Sequence, residues 1–183
     1  MIIGIHLGNG YGSQPDAWRM PWVDPMGYTS FDAKVRHAQA AERGKLQFLF
    51  LPDGPSHVND IENEAPHFNL DVMLTLAALA RGTERIGLVA TGSTTFNEPY
   101  NLARQFKALD IMSHGRAGWN AVTSSGEDVA ANYGKRIPSV RDVTAVRMRP
   151  SSLCRLCGAV GDLMPGCATR RQDSLRRESR LHR

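Results

Sequence analysis

The sequence predicts an α/β fold built on a parallel sheet, and three observations carry that expectation. Short apolar runs alternate four times with stretches of helical period, the βαβαβαβα order that demands parallel strands and covering helices. Polar side chains gather just after the apolar runs, at the carboxyl ends where parallel sheets bind ligands. The chain has 183 residues, too few for a complete (β/α)8 barrel at ~200–250 residues. Four βα units make half of such a barrel, or most of a small open sheet, and each crossover is expected to be right-handed.

The elements follow in order. Met1 to Leu7 is a short apolar run read as a strand. Residues 8–28, rich in Gly and Pro with Trp18, Arg19 and Trp22, form a long functional loop. Ser30 can N-cap a helix to Arg43 with Gly44 just beyond it, and Phe31, Val35, Ala38 and Ala41 share its core face. Leu46–Leu51 is a strand stopped by Pro52-Asp53-Gly54. A polar loop runs from Ser56 to Asn69. Leu70 to Arg81 is helical, with Asn69 as cap and Gly82 as stop. Arg85–Thr91 is a strand. Glu98-Pro99 starts a helix, Pro in its first turn costing nothing, that ends near Gly115. Trp119–Thr123 is a strand, and Gly126 to Tyr133 a short helix.

Composition is that of an ordinary globular chain: 42% hydrophobic and 22% charged, which excludes wholly disordered and collagen-like classes. No apolar run approaches the ~18–20 residues of a membrane span, and no signal sequence opens the chain, so a cytoplasmic protein is expected. The net charge of +4 describes neither part of the molecule. Residues 1–135 hold 11 Lys and Arg against 14 Asp and Glu, while residues 136–183 hold 11 Arg, no Lys and 4 Asp and Glu. All three cysteines lie in the second part and all thirteen aromatics in the first. The expected division is therefore a domain over 1–135 and a basic tail over 136–183.

The strand ends supply Asp53, then Thr91, Ser93, Thr94 and Thr95, then Asn120, Thr123, Ser124 and Ser125. A carboxylate, hydroxyls and an amide suit a polar cofactor with ring nitrogens and a phosphate better than a metal ion. The alternative at this point is that Asp53 caps the next turn and the hydroxyls satisfy loop backbone. His6, inside the first strand, is expected to be a satisfied core histidine. No histidine pair has metal-ligand spacing, and no dinucleotide fingerprint, Walker loop or Gly-x-Ser-x-Gly elbow occurs. Cys154-x2-Cys157 with Cys167 and His182 is a weak zinc pattern. The tail has no aromatics for base stacking, which argues against nucleic acid. A solvated tail with free thiols is expected.

Several stretches together resemble a known family: His6-Leu7-Gly8, Ala17-Trp18-Arg19, and residues 41–54, 83–110 and 115–134, above all TERIGLVATGSTTFNEPYNLAR. They are similar to the amino-terminal part of two-component, flavin-dependent monooxygenases of the bacterial luciferase-like superfamily, nitrilotriacetate and dibenzothiophene-sulfone type. The resemblance covers residues 1 to about 135. It implies the amino-terminal half of a TIM-like barrel and FMN bound as a reduced co-substrate. It also implies a separate NAD(P)H:flavin reductase, O2 activated through a peroxyflavin, and oxygenation of a small organic substrate. By this resemblance Asp53, Thr91 and Asn120 are flavin contacts. Pro52 and Gly92 depart from the family, which usually has Ala at the first position and Val or Ala at the second.

The family's next motifs are missing from residues 136–183 as written. One reading frame restores them. With suitable codons, Asp142–Arg149 read from the third base of the first codon gives Arg-Tyr-Gly-Arg-Ala-Asp-Glu. Leu153–Gly161 at the same offset gives Val-Pro-Ala-Val-Trp-Gly-Ser-Trp. The expectation is a frameshift near residues 135–141, either a lesion or a sequencing error. A lone half-barrel exposes a sheet edge and an unfilled interior, so poor solubility, partial disorder or homo-oligomerisation is expected. The competing readings are a half-barrel remnant without catalysis and a basic-tailed binding module.

Overall fold

The computed structural model describes residues 1–8, 16–24, 26–56 and 70–137. The zinc pattern and nearly all of the basic tail lie outside these residues. Four strands, β1 (Gly4–His6), β2 (Phe48–Leu51), β3 (Gly87–Ser93) and β4 (Ala117–Val122), form one sheet in sequence order. Every neighbouring pair is parallel. Helices α1 (Phe31–Arg43), α2 (Val72–Gly82), α3 (Pro99–Met112) and the short α4 (Glu127–Asn132) follow the strands in turn. This is the expected βαβαβαβα order. The loop after β1 contains one 3-10 turn, Ala17–Arg19, with the Arg19 guanidinium 4.9 Å from the Trp18 ring centre.

One face of the sheet carries the core. Leu49 and Leu51 of β2 and Leu88 and Ala90 of β3 pack with Ala38 and Ala41 of α1 and Leu76 and Leu79 of α2. Leu49, Leu76, Leu79 and Leu88 are fully buried, each contributing about 1.5–3 kcal/mol of transfer free energy. Strand alternation puts Phe48, Phe50, Val89, Thr91, Gly118 and Asn120 on the opposite face. That face is thin where strands meet: a Cβ on Gly4 would lie 2.3 Å from the Phe48 ring, and one on Gly118 2.9 Å from Val89 Cγ2.

The bounds differ from expectation for local reasons. Strand β1 pairs only with β2 and shrinks to three residues; Ile3 and Ile5 beside it stay exposed. His6 is exposed too, 6.1 Å from the Phe50 ring centre, so it is not a core histidine. Helix α2 is capped by Asp71, whose carboxylate accepts from Leu74 N–H at 2.8 Å, in place of Asn69, which lies outside the described residues. Gly82 is its last residue, and Thr83 turns the chain away in extended geometry. Strand β3 starts at Gly87 because the backbone N–H groups of Glu84, Arg85 and Ile86 donate to the Glu42 carboxylate instead of a neighbouring strand. Helix α3 stops at Ser113, and His114 and Gly115 follow in left-handed backbone (φ 57° and 81°). Ser30 does cap α1, its hydroxyl accepting from Ala33 N–H.

Arg116 closes the amino-terminal end of the sheet. Its guanidinium donates to Ser113 O (2.7 Å), Ile86 O (2.8 Å), Ala80 O (2.9 Å), Thr83 Oγ1 (3.0 Å) and Thr83 O (3.1 Å). One side chain thus satisfies carbonyls at the ends of α2 and α3, where helices leave such groups unpaired.

Candidate functional site

The carboxyl ends of β2, β3 and β4 bring together part of the predicted set. Thr91 and Asn120 are register partners on β3 and β4, and Asn120 Nδ2 donates to Thr91 Oγ1 at 3.1 Å. Thr91 is buried and Asn120 half-buried. Because the Thr91 hydroxyl accepts here, its own proton is left for another acceptor. Asn120 keeps its carbonyl oxygen and a second N–H.

Asp53 follows β2 by two residues and is exposed. No hydrogen bond among the described residues joins it to the Thr91–Asn120 pair. Its neighbours are of another kind: partial desolvation lifts its carboxyl above the usual carboxylate range, and the negative charge of Asp71 adds to the lift. Tyr133 belongs to the same group. Desolvation, then the charges of Asp53 and Asp71, raise its phenol, against a hydrogen bond with the Asn97 side chain. The Tyr133 ring stacks on Phe96 with centroids 5.3 Å apart.

Four other strand-end hydroxyls, those of Ser93, Thr94, Thr95 and Ser124, bond to one another or to backbone. Ser124 Oγ and Ser93 Oγ lie 2.9 Å apart, Ser93 Oγ accepts from Thr95 N–H, Thr95 Oγ1 accepts from Ser124 N–H, and Thr94 Oγ1 donates to Val122 O. Asp71, Asn97 and Tyr133 were missed in the sequence. Asp71 lies inside the expected helix, and no residue pattern signals that the residue capping a short helix will stack on Phe96.

The chemistry of the donor set can be compared with that of a flavin. An amide and a hydroxyl with free valences, on a face carrying Phe50 and Val89, match a flat heteroaromatic with nitrogen and oxygen atoms along one edge. The Asp53 carboxylate, with its pKa raised by desolvation and by Asp71, can accept a hydrogen bond from a donor on such an edge. These residues fit the group. Among the described residues, no cluster of His, Cys, Asp and Glu could hold a metal ion, and no helix is long and apolar enough to cross a membrane.

The chain belongs to a monooxygenase class: residues 6–146 match the luciferase-like monooxygenase family, and the chain is a member of it. Its relatives include nitrilotriacetate monooxygenase component A of Aminobacter aminovorans, 41% identical over 73% of this chain and 30% of that protein. N-acetyl-S-(2-succino)cysteine monooxygenase of Bacillus subtilis is 44% identical over 72% of this chain and 29% of its own length. Among solved structures, EDTA monooxygenase from Chelativorans sp. BNC1 superimposes with a TM-score of 0.73 at 32% identity, over 80% of this chain and 35% of that one. The chain therefore spans about a third of the length of the proteins it matches, and the parallel sheet has luciferase-like barrel enzymes as its structural neighbours.

Proposed function

We propose that this chain carries the amino-terminal part of an FMN site in a two-component monooxygenase, with Asp53, Thr91 and Asn120 facing the flavin. The observation that carries the reading is the Asn120–Thr91 pair, which leaves a hydroxyl proton and an amide free at the carboxyl end of the sheet. Reduced FMN, delivered by an NAD(P)H:flavin reductase, supplies the electrons with which O2 is divided between a small organic substrate and water. The protein's part is to orient the ring edge through Asn120 and Thr91, to keep water off one ring face with Phe50 and Val89, and to offer the Asp53 carboxylate as an acceptor. The cytoplasm, where reduced flavin and its reductase occur together, is the setting for this chemistry.

The test is an anaerobic titration of the full chain with reduced FMN. Saturable binding at one flavin per chain supports the reading, and no binding overturns it. The short span relative to its kin favours one second reading: flavin is held but oxygen transfer fails. In that case, adding reductase, NAD(P)H and O2 yields hydrogen peroxide and no oxygenated product. Residues 136–183 we read as frameshifted sequence following a barrel domain over 1–135, which a clean resequencing of the gene would settle. The open edges of β1 and β4 favour self-association of the chain as given, measurable by sedimentation.

A further inference from the structure

Resting on the flavin reading, the geometry points to a positioning role for the segment 126–135, which clamps the loop carrying Asp53 onto the loop after β3, with Asp128 and Asn132 as its positioning residues. Neither residue faces the Asn120–Thr91 pair through any hydrogen bond among those described, so they act through the loop.

The clamp is built from contacts on both sides. Asn132 Nδ2 donates to Pro55 O at 2.9 Å. The Ser56 hydroxyl donates to the Asp128 carboxylate. These two contacts lie two and three residues beyond Asp53 and span more than seventy residues of sequence. Lys135 Nζ donates to Phe96 O at 2.9 Å and lies 3.5 Å from Glu98 Oε1. The Tyr133 ring stacks on Phe96 of the loop after β3, centroids 5.3 Å apart. Gly126 leaves room for the arrangement: a Cβ there would lie 2.5 Å from Asp128 Oδ1, so any side chain pushes the carboxylate away from Ser56. Among the described residues of the loop, Ser56 N–H donates to Gly54 O at 2.7 Å. The contacts from Asp128 and Asn132 hold this stretch from outside, and a site must be held to within about half an ångström to work.

The experiment uses the full chain and three variants: Asn132→Asp, which keeps shape and removes the donor; Gly126→Ala, which displaces the acceptor; and Asp128→Asn, which keeps an acceptor for Ser56. Hydrogen exchange over residues 53–56 and affinity for FMN, read by flavin fluorescence, are measured for each beside the thermal midpoint. Asn132→Asp and Gly126→Ala are expected to speed exchange over 53–56 about tenfold and to weaken FMN by a similar factor, as loss of roughly 1.4 kcal/mol implies. Exchange in β2 and β3 and the midpoint stay as in the parent, and Asp128→Asn, with its acceptor kept, stays close to the parent in both measurements. Unchanged exchange over 53–56 overturns the clamp. Faster exchange with unchanged FMN affinity overturns its positioning role. If the parent chain binds no FMN, the flavin reading fails, and with it the positioning role, while exchange alone still decides whether the clamp holds the loop.

Discussion

Replacing Arg116 with Met removes the guanidinium and keeps most of the aliphatic stem, so packing is nearly conserved. The loss is electrostatic and can be worked from the contacts. Five donations end, to Ser113 O, Ile86 O, Ala80 O, Thr83 Oγ1 and Thr83 O, at 2.7–3.1 Å. A hydrogen bond to a charged group is worth ~1.5–3 kcal/mol net, but five sharing one side chain are not additive. Arg116 is half-buried, so water can reach some of the freed carbonyls. Desolvation already pulls its pKa down, with the Glu42 charge pushing back. About two bonds' worth, ~3 kcal/mol, is the expected destabilisation, or roughly 10 °C in melting temperature for a domain of this size. Arg116→Lys should recover less than half, because an ammonium has three donors and no planar fork. Urea unfolding gives the energy. Hydrogen exchange at residues 83–86 locates it, since the same turn is held from its other side by Glu42. A loss below about 0.5 kcal/mol, in the range of ordinary surface substitutions, would refute the view that Arg116 ties the ends of α2 and α3 together.

Other consequences are open to direct measurement. Desolvation alone would raise Glu42, but the backbone N–H groups of Arg85, Ile86 and Glu84 and the Arg116 charge outweigh it and hold the carboxyl below 4.5. Its stabilising contribution is complete above that value and is lost as pH falls through the lower folded-state pKa; Glu42→Gln should flatten this acid limb in pH-dependent melting. Asp53 runs the other way. Its raised carboxyl makes ionisation a cost in the folded state, so stability falls as pH rises through the window above 3.8. Asp53→Asn should leave the melting temperature equal or slightly higher while weakening FMN, and a clear drop in melting temperature would contradict this. At Gly92 a Cβ would meet Trp119 Nε1 at 2.9 Å, Leu102 at 3.1 Å and Phe106 at 3.2 Å. Gly92→Val should therefore cost about 1–3 kcal/mol by overpacking, in urea unfolding.

Much of the fold was legible because periodicity and capping are local. Ser30, Pro99 and the apolar runs of β2 and β3 announce their elements, and strand alternation fixes which side chains reach the core. Long-range donors were not legible. Glu42 draws the backbone of 84–86 out of the sheet and delays β3 by two residues, and no pattern in either segment announces that contact. Arg116 looks like an ordinary basic residue between Gly115 and a strand, yet four of its five acceptors, on Ala80, Thr83 and Ile86, lie thirty or more residues away. The site divides in the same way. Thr91 and Asn120 sit at strand ends in matched register, so topology alone brings them together. The neighbours of Asp53 do not share its element: Asp71 reaches it from the start of α2 and Tyr133 from beyond α4. His6 shows the remaining limit, since a short edge strand looks like a core strand until its neighbours are counted.

The flavin site stands or falls on the Asn120–Thr91 pair. The affinity of the full chain for reduced FMN, measured anaerobically beside Asn120→Leu, tests it most directly. Loss of an amide that makes one or two neutral hydrogen bonds predicts binding about tenfold weaker in the variant. Equal affinity in the two proteins would contradict the account, because the flavin would then lie somewhere other than the carboxyl ends of β3 and β4.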